Sequence, residues 1–335
     1  MRRFVPVTGL LLLAPLVGEY LLGNISVRAL PALPFLVPMY GAGALLIREL
    51  ARRTGRGYPA ILLLGAAYGV IEAGLVDQSM FNPSFEGHDF QAVTPIPAWG
   101  LSAASALAFV AGHAIWSITV PIALMEQLNP IFHPSGEKSD MSAGSAAKRP
   151  TYRPWLSRRG LAATALVYLL GCWIIHKEIT DSEHFTATQP QRLGAATAAA
   201  ILIALAFLRP RPGTWPAPKV WLTGVIAFGS TTVFFARPES WAGFWFGVVW
   251  LAAGAAWLAR TRWTDRHVRA LASGALLTYA WSGFALTALM EPHDPVRWWG
   301  NAAFAAGAVA LVFACFRRRT AAPAHGPASA GSSSD

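Results

Sequence analysis

The stretch Tyr58–Val76, YPAILLLGAAYGVIEAGLV, decides the fold class. It runs for 19 residues with one ionisable side chain, Glu72, and no period-two alternation. About 20 apolar residues at 1.5 Å per residue cross the roughly 30 Å of a bilayer's hydrocarbon. Such a segment must be helical, because a chain in lipid has to satisfy its own backbone hydrogen bonds, and it alternates too little to be a barrel strand.

Nine further segments read the same way: 4–22, 30–47, 98–125, 160–175, 193–208, 220–236, 241–259, 270–290 and 298–316. Composition agrees. Of 335 residues, 54% are hydrophobic and 13% charged, whereas soluble domains carry about 25% charged residues. Disorder is excluded by the apolar fraction, and a disulfide scaffold by two cysteines, Cys172 and Cys315, that both fall within spans. The expected fold is an all-α polytopic transmembrane bundle of about ten spans. The second span opens with Pro31, Pro34 and Pro38 and should bend. The first follows Met1-Arg2-Arg3 without a small-x-small cleavage site, so it reads as a retained span.

Orientation follows from Lys and Arg, which cytoplasmic loops retain. With the N-terminus inside, alternate segments hold 22 basic residues on the inner side and 5 on the outer side. Arg48, Arg52, Arg53 and Arg56 belong to the inner set. Both termini are therefore expected in the cytoplasm. The net charge of +10 is dispersed over membrane-flanking segments, which points to anionic lipid headgroups and away from nucleic acid. Trp99, Trp155, Trp221, Trp241, Trp263, Trp298 and Trp299 lie near span ends, at headgroup level.

The longest loop divides the chain. Residues 1–126 form a first block of four spans, 127–159 a flexible basic cytoplasmic linker, 160–316 a second block of six spans, and 317–335 a disordered tail. Gly65-xxx-Gly69 and Gly243-xxx-Gly247 allow close helix packing.

Function is sought first among ionisable groups inside spans, each costing roughly 2.5–3.5 kcal/mol at mid-helix. They are Glu19, Glu72 and His113, with Glu126 at an inner end where water can reach it. Counting residues along each span separates Glu72 and His113 by about 5–12 Å in depth, which does not favour direct contact. A polar site between spans one, three and four, serving a proton, a solute or a metal, stands beside the plainer reading of buried groups that tie helices together. Asp77, Gln78 and Asn82 follow Glu72 closely and could rim a substrate-binding cavity above it. Outside, Glu86-Gly87-His88-Asp89, His176, Glu183-His184 and Glu291-Pro292-His293-Asp294 place imidazole beside carboxylate. His88, His176, His184 and His293 are thus metal candidates, although no pair has the i, i+4 spacing of a strong zinc motif. No phosphate-binding loop, nucleophile elbow or HExxH motif occurs, so the sequence calls for no cofactor and weighs against an enzyme.

The segments Ala44–Leu50, Tyr68–Leu75, Phe81-Asn82-Pro83, Gly112–Ser117 and Thr278–Trp281 together resemble an uncharacterised family of polytopic membrane proteins from high-GC Gram-positive bacteria. That resemblance implies a multi-pass plasma-membrane protein and no activity. A fainter resemblance is to the CPBP intramembrane proteases, whose motifs are a Glu-Glu pair with a later Arg, Phe-x-x-x-His and His-x-x-x-Asn. Glu72 would match the first and Phe109–His113 the second. However, Ala73 stands where the second Glu belongs, Val76 replaces the Arg, and His176 with Thr180 is a poor third motif. Three functions remain open. One is a small-solute permease with a polar site at Glu72 and His113. The second is a degenerate CPBP-type enzyme using the same pair. The third is a membrane scaffold or partner subunit that makes contact through its linker and tail.

Overall fold

The computed structural model describes residues 4–128, 154–208 and 213–317. Most of the expected linker and tail, together with Arg2, Arg3, Lys138, Lys148, Arg149, Arg153, Arg209, Arg211, Arg318 and Arg319, lies outside the described residues.

Among the described residues the ten expected segments correspond one for one to ten helices. They are α1 Val5–Leu21, α2 Val27–Arg53, α3 Tyr58–Val76, α4 Ala103–Leu128, α5 Arg158–Glu183, α6 Gln189–Ala206, α7 Val220–Phe235, α8 Trp241–Arg260, α9 Asp265–Met290 and α10 Pro295–Arg317. Six of them, α2, α3, α4, α5, α8 and α10, are long and apolar enough to cross a membrane by length and composition. Two more, α1 and α7, are apolar but shorter.

The helices differ sharply in burial. In α3, 67% of the apolar window is buried, against 6% in α5 and 11% in α8. Helix α3 is therefore the centre, while α5 and α8 turn Leu166, Leu169, Trp173, Trp245 and Val249 outward. Helices before and after residue 128 share one core. Trp116 stacks on Tyr279 at a 4.3 Å centroid distance and donates its indole N–H to Ala275 O at 2.7 Å.

The helices of the first half are irregular. The prolines of α2 carry it from a 3-10 turn (Val27–Ala32) through a short α turn to a π turn (Val37–Gly41) before a regular helix over Ala42–Arg53. Helix α4 starts at Ala103, five residues later than its apolar run suggests. The intervening chain forms a two-residue hairpin, Pro95–Ile96 against Leu101–Ser102, and the Ser102 hydroxyl caps α4 by accepting from Ser105 N.

At the end of the bundle opposite the 77–102 loop, three expectations are corrected. Arg48 and Arg52 are not loop cations. They lie on α2, buried, and hold Glu126 of α4 between them, with Nε of Arg48 at 3.0 Å and Nη2 of Arg52 at 2.6 Å. Glu126 does not reach water. It is 3% exposed and also accepts from the Tyr58 hydroxyl at 2.7 Å. Trp155 is not at headgroup level but buried, its ring 3.9 Å from the Arg48 guanidinium carbon. Glu49 completes the network, pairing with Arg48 at 2.7 Å and accepting from Trp155 N at 2.7 Å. The geometric cause is that α2 remains helical to Arg53, so Arg48, Glu49 and Arg52 are turned into the protein. Their charges then need partners, and α4 supplies one.

Removing one partner of a buried ion pair strands the other charge. Glu126→Gln should therefore lower the unfolding free energy by about 3–5 kcal/mol, whereas Arg53→Gln, whose side chain is 26% exposed, should cost under about 1 kcal/mol. Denaturant unfolding in detergent followed by far-UV circular dichroism measures both. Equal midpoints for Glu126→Gln and the wild type would remove the network's structural role.

Candidate functional site

Four π-helical turns occur among the described residues: Leu16–Leu21, Val37–Gly41, Glu72–Val76 and His113–Thr119. Each contributes one polar side chain to a single buried cluster: Glu19, Tyr40, Glu72 and His113. A π turn holds one residue more than an α turn, which rotates the following chain and re-aims side chains. Such turns concentrate at functional sites. Proline accounts for three of them. Pro15 precedes the first, Pro38 lies within the second, and Pro121 follows the fourth by two residues. Each lacks the N–H that would close an ordinary helical bond. Gly74 lies inside the remaining one.

The cluster is organised by the Tyr40 hydroxyl. It lies 2.5 Å from Glu19 Oε1, 3.0 Å from Glu72 Oε1 and 3.2 Å from His113 Nε2. Glu72 Oε2 is 3.1 Å from the same imidazole nitrogen. His113 Nδ1 is 2.7 Å from the carbonyl of Phe109, which only accepts, and this assigns a proton to Nδ1. Glu19 Oε2 accepts from Asn24 Nδ2 at 3.0 Å. Glu19, Tyr40 and Glu72 are all under 10% exposed.

Direct contact of Glu72 with His113 corrects the separation expected from residue counts. The late start of α4 is the cause. Five residues fewer above His113 move it about 7.5 Å toward the end of α3 where Glu72 sits. Close backbone approach does the rest. A Cβ at Gly69 of α3 would lie 2.9 Å from His113 Cβ, and one at Gly18 of α1 would lie 2.6 Å from Ser117 Oγ. Only glycine at these two positions lets the three helices meet.

Proton arithmetic shows what this arrangement can do. Tyr40 has one hydroxyl proton and donates once, best to Glu19 at 2.5 Å. Its other two contacts are hydrogen bonds only if Glu72 or His113 holds a further proton. Two carboxyls, one phenol and one imidazole thus share fewer protons than they have sites. The rings of Tyr40, Tyr68 and His113 lie pairwise 5.8 Å apart, in van der Waals packing that leaves no space for a solute among them. The Tyr68 hydroxyl is buried beside them without a hydrogen-bond partner, and Tyr168 of α5 packs on Tyr68 at 6.3 Å.

Tyr40 and Tyr68 do not stand out in the sequence, because charge in an apolar run marks only the Glu and His members of the cluster. The available signal was depth, since both tyrosines fall near the middle of a span rather than in its interfacial belt. The other candidates have plainer surroundings. Gln78, with φ of 61°, is buried, faces His176 Nδ1 at 3.3 Å and accepts from the backbone of Ala187. Asn82 donates to Glu183 at 3.0 Å, and Asp77 accepts from Ser79 N at 2.9 Å. These bonds fasten the start of the 77–102 loop to the end of α5 and the connection that follows it.

The four histidines considered as metal ligands have separate contacts. His176 lies 2.9 Å from Val76 O, His88 stacks on Phe90, His184 ends α5 in a left-handed turn, and His293 is exposed. Among the described residues no three His, Cys, Asp or Glu side chains are grouped to hold a metal. Asp294 instead caps α10 and pairs with Arg28. Against a burial cost that acts upward, the N–H groups of Val296 and Arg297 and the Arg28 guanidinium hold its carboxyl below the usual range.

The helix contact at Gly69 can be tested without an activity assay. Gly69→Val should destabilise by about 1–3 kcal/mol through overpacking against His113. Gly229→Ala, where an added Cβ meets nothing within 4 Å, should be neutral or gain up to about 1 kcal/mol. Thermal unfolding in one detergent ranks the two, and a stable Gly69→Val protein would contradict the close packing.

A model of an uncharacterized membrane protein family matches residues 10–315. No curated protein and no solved structure matches the chain. The match runs from the first turns of α1 almost to the end of α10, and so includes the whole four-residue cluster. The chain therefore belongs to an uncharacterized membrane protein family.

Proposed function

We propose that this protein is a transporter-like, small-solute permease of the bacterial plasma membrane in which Glu72 and His113, joined to Glu19 through Tyr40, exchange the coupling proton. The observation that carries the reading is the Tyr40 hydroxyl within 3.2 Å of all three partners, a continuous path for a proton from Glu19 to His113. The tight ring packing favours a proton as the ligand of this cluster. Asp77, Gln78 and Asn82 would then cover it. Intramembrane carboxyl–imidazole chains of this kind suit proton relays.

Infrared difference spectroscopy of the reconstituted protein across a pH titration tests this directly, because a protonated carboxylic acid has its own carbonyl-stretch band. Glu72→Gln and Glu19→Gln should each remove one component of the band, a single carboxyl's share among the chain's 17 Asp and Glu. Tyr40→Phe should shift the components that remain, because it removes the hydroxyl that lies between the two carboxyls. A band unchanged by all three substitutions would sink the proposal.

One contact favours a second reading, a CPBP-like hydrolytic enzyme. The 3.1 Å separation of Glu72 and His113 is that of a pair able to activate water. His176 supports it poorly, being engaged with Val76 O and Gln78. Tyr40→Phe separates the readings, since it cuts the link to Glu19 and leaves the Glu72–His113 pair in place. Turnover of a membrane-peptide substrate that survives Tyr40→Phe but not Glu72→Ala or His113→Ala would favour the enzyme.

The proposal includes ten membrane crossings with both ends in the cytoplasm, supported by the 22-to-5 distribution of basic residues. Single cysteines at Ser142 and Asp89, on a background free of native cysteine, should then react oppositely. In intact cells an impermeant maleimide should label position 89 only, and position 142 only after permeabilisation. Labelling of both from outside would refute this topology.

A further inference from the structure

We infer that the groove between α7 and α9 seats one anionic glycerophospholipid, a binding site separate from the proton cluster. The groove has a volume of about 650 Å³ and an almost wholly apolar lining that includes Trp221, Gly224, Phe228, Ser273, Leu277 and Phe316. Three features, in order along α9, match the three parts of such a lipid.

The first is charge at the groove's mouth. Arg266 and Arg269 precede Ala270, Ser273, Gly274 and Leu277 at helical spacing, so they continue the groove face. Lys219, which caps the start of α7, and Arg317, at the end of α10, stand near this level, because His267 lies 2.9 Å from Pro218 O and Arg269 donates to Cys315 O at 2.9 Å. Lys219, Arg266 and Arg317 are exposed, and none has a carboxylate partner among the described residues. Four basic side chains against one acid, Asp265, suit a phosphate headgroup.

The second is Ser273. A helical serine ordinarily returns its hydroxyl to a carbonyl one turn back. The Ser273 hydroxyl does not, and it is left without a partner in a side chain 5% exposed that lines the groove. Arg269 Nε, one turn nearer the mouth, is likewise buried and unpartnered. Ser273 lies about 6 Å from Arg269 and about 10 Å from Arg266 along the helix axis. That is where a glycerol ester carbonyl follows its phosphate, and the carbonyl would accept the serine proton.

The third is the apolar floor, which extends from Ala270 to Leu277. Its seven helical steps span about 10 Å, two-thirds of one leaflet's hydrocarbon. An acyl chain below an ester fits that length. A second helix in the groove would meet the same floor but would leave the mouth's positive charge and the Ser273 hydroxyl unanswered.

Native mass spectrometry of the detergent-purified full chain tests the assignment with phosphatidylglycerol and phosphatidylcholine of identical chains. One phosphatidylglycerol should be retained per chain in preference to phosphatidylcholine. Lys219→Gln with Arg266→Gln should weaken that retention by about 25-fold, near 5-fold per charge. Gly224→Leu should abolish retention of both lipids, because its Cβ has only ordinary contacts with Ala270 and the rest of the side chain fills the groove. If that variant does not fold, Ser273→Ala decides. It should weaken ester-linked phosphatidylglycerol about 2- to 12-fold and leave its ether-linked analogue unaffected. Equal retention of the two lipids, or retention indifferent to both groove variants, would overturn the site. So would a lipid-free dimer that Gly224→Leu dissociates, which would make a second copy the occupant.

Discussion

A carboxyl group cannot be left unanswered in hydrocarbon, and the first half of this fold is arranged around four of them. Glu49 and Glu126 are answered by arginines, which do not give up their protons, with Tyr58 and the backbone of Trp155 completing the shell. Glu19 and Glu72 are answered by a phenol, an imidazole and an amide. The first set faces guanidinium groups and the second faces neutral hydrogen-bonding groups, so the same cost of burial is met in two different ways in one bundle.

Helix irregularity follows from the second solution. Regular α-helices carry polar residues past one another at fixed angles, and four helices rarely present one polar side chain each to a common point. Each π turn corrects the angle of one helix by one residue. Pro15, Pro38 and Pro121 make those corrections cheap by removing donors that a regular helix would need. Gly18 and Gly69 then admit the close approach. Irregularity is concentrated in α1 to α4. Helices α5 to α10 have no π turn and mostly face outward.

The contrast explains what could be read from the sequence. All ten helices were legible because apolar length is a local property that lipid enforces. Glu19, Glu72 and His113 were legible because charge in an apolar run is conspicuous. Their convergence was not, since it depends on a five-residue shift in the start of α4 and on π turns that no periodicity encodes. Tyr40 was hidden by its chemistry, because a tyrosine in an apolar segment looks like one more aromatic. Arg48 and Arg52 misled for the opposite reason. Basic residues at a span end look like a loop, and only the continuation of α2 to Arg53 turns them inward.

Helix α2 joins the two solutions. Tyr40 and Arg48 are eight residues apart on it, about 12 Å along its axis. Between these two contacts the helix passes from the 3-10 and π turns of residues 27–41 to a regular helix at Ala42, so its irregular part carries Tyr40 to the carboxyl–imidazole cluster and its regular part carries Arg48 and Arg52 to Glu126. Proline and glycine set where Tyr40 points, while unbroken helical spacing sets where the two arginines point.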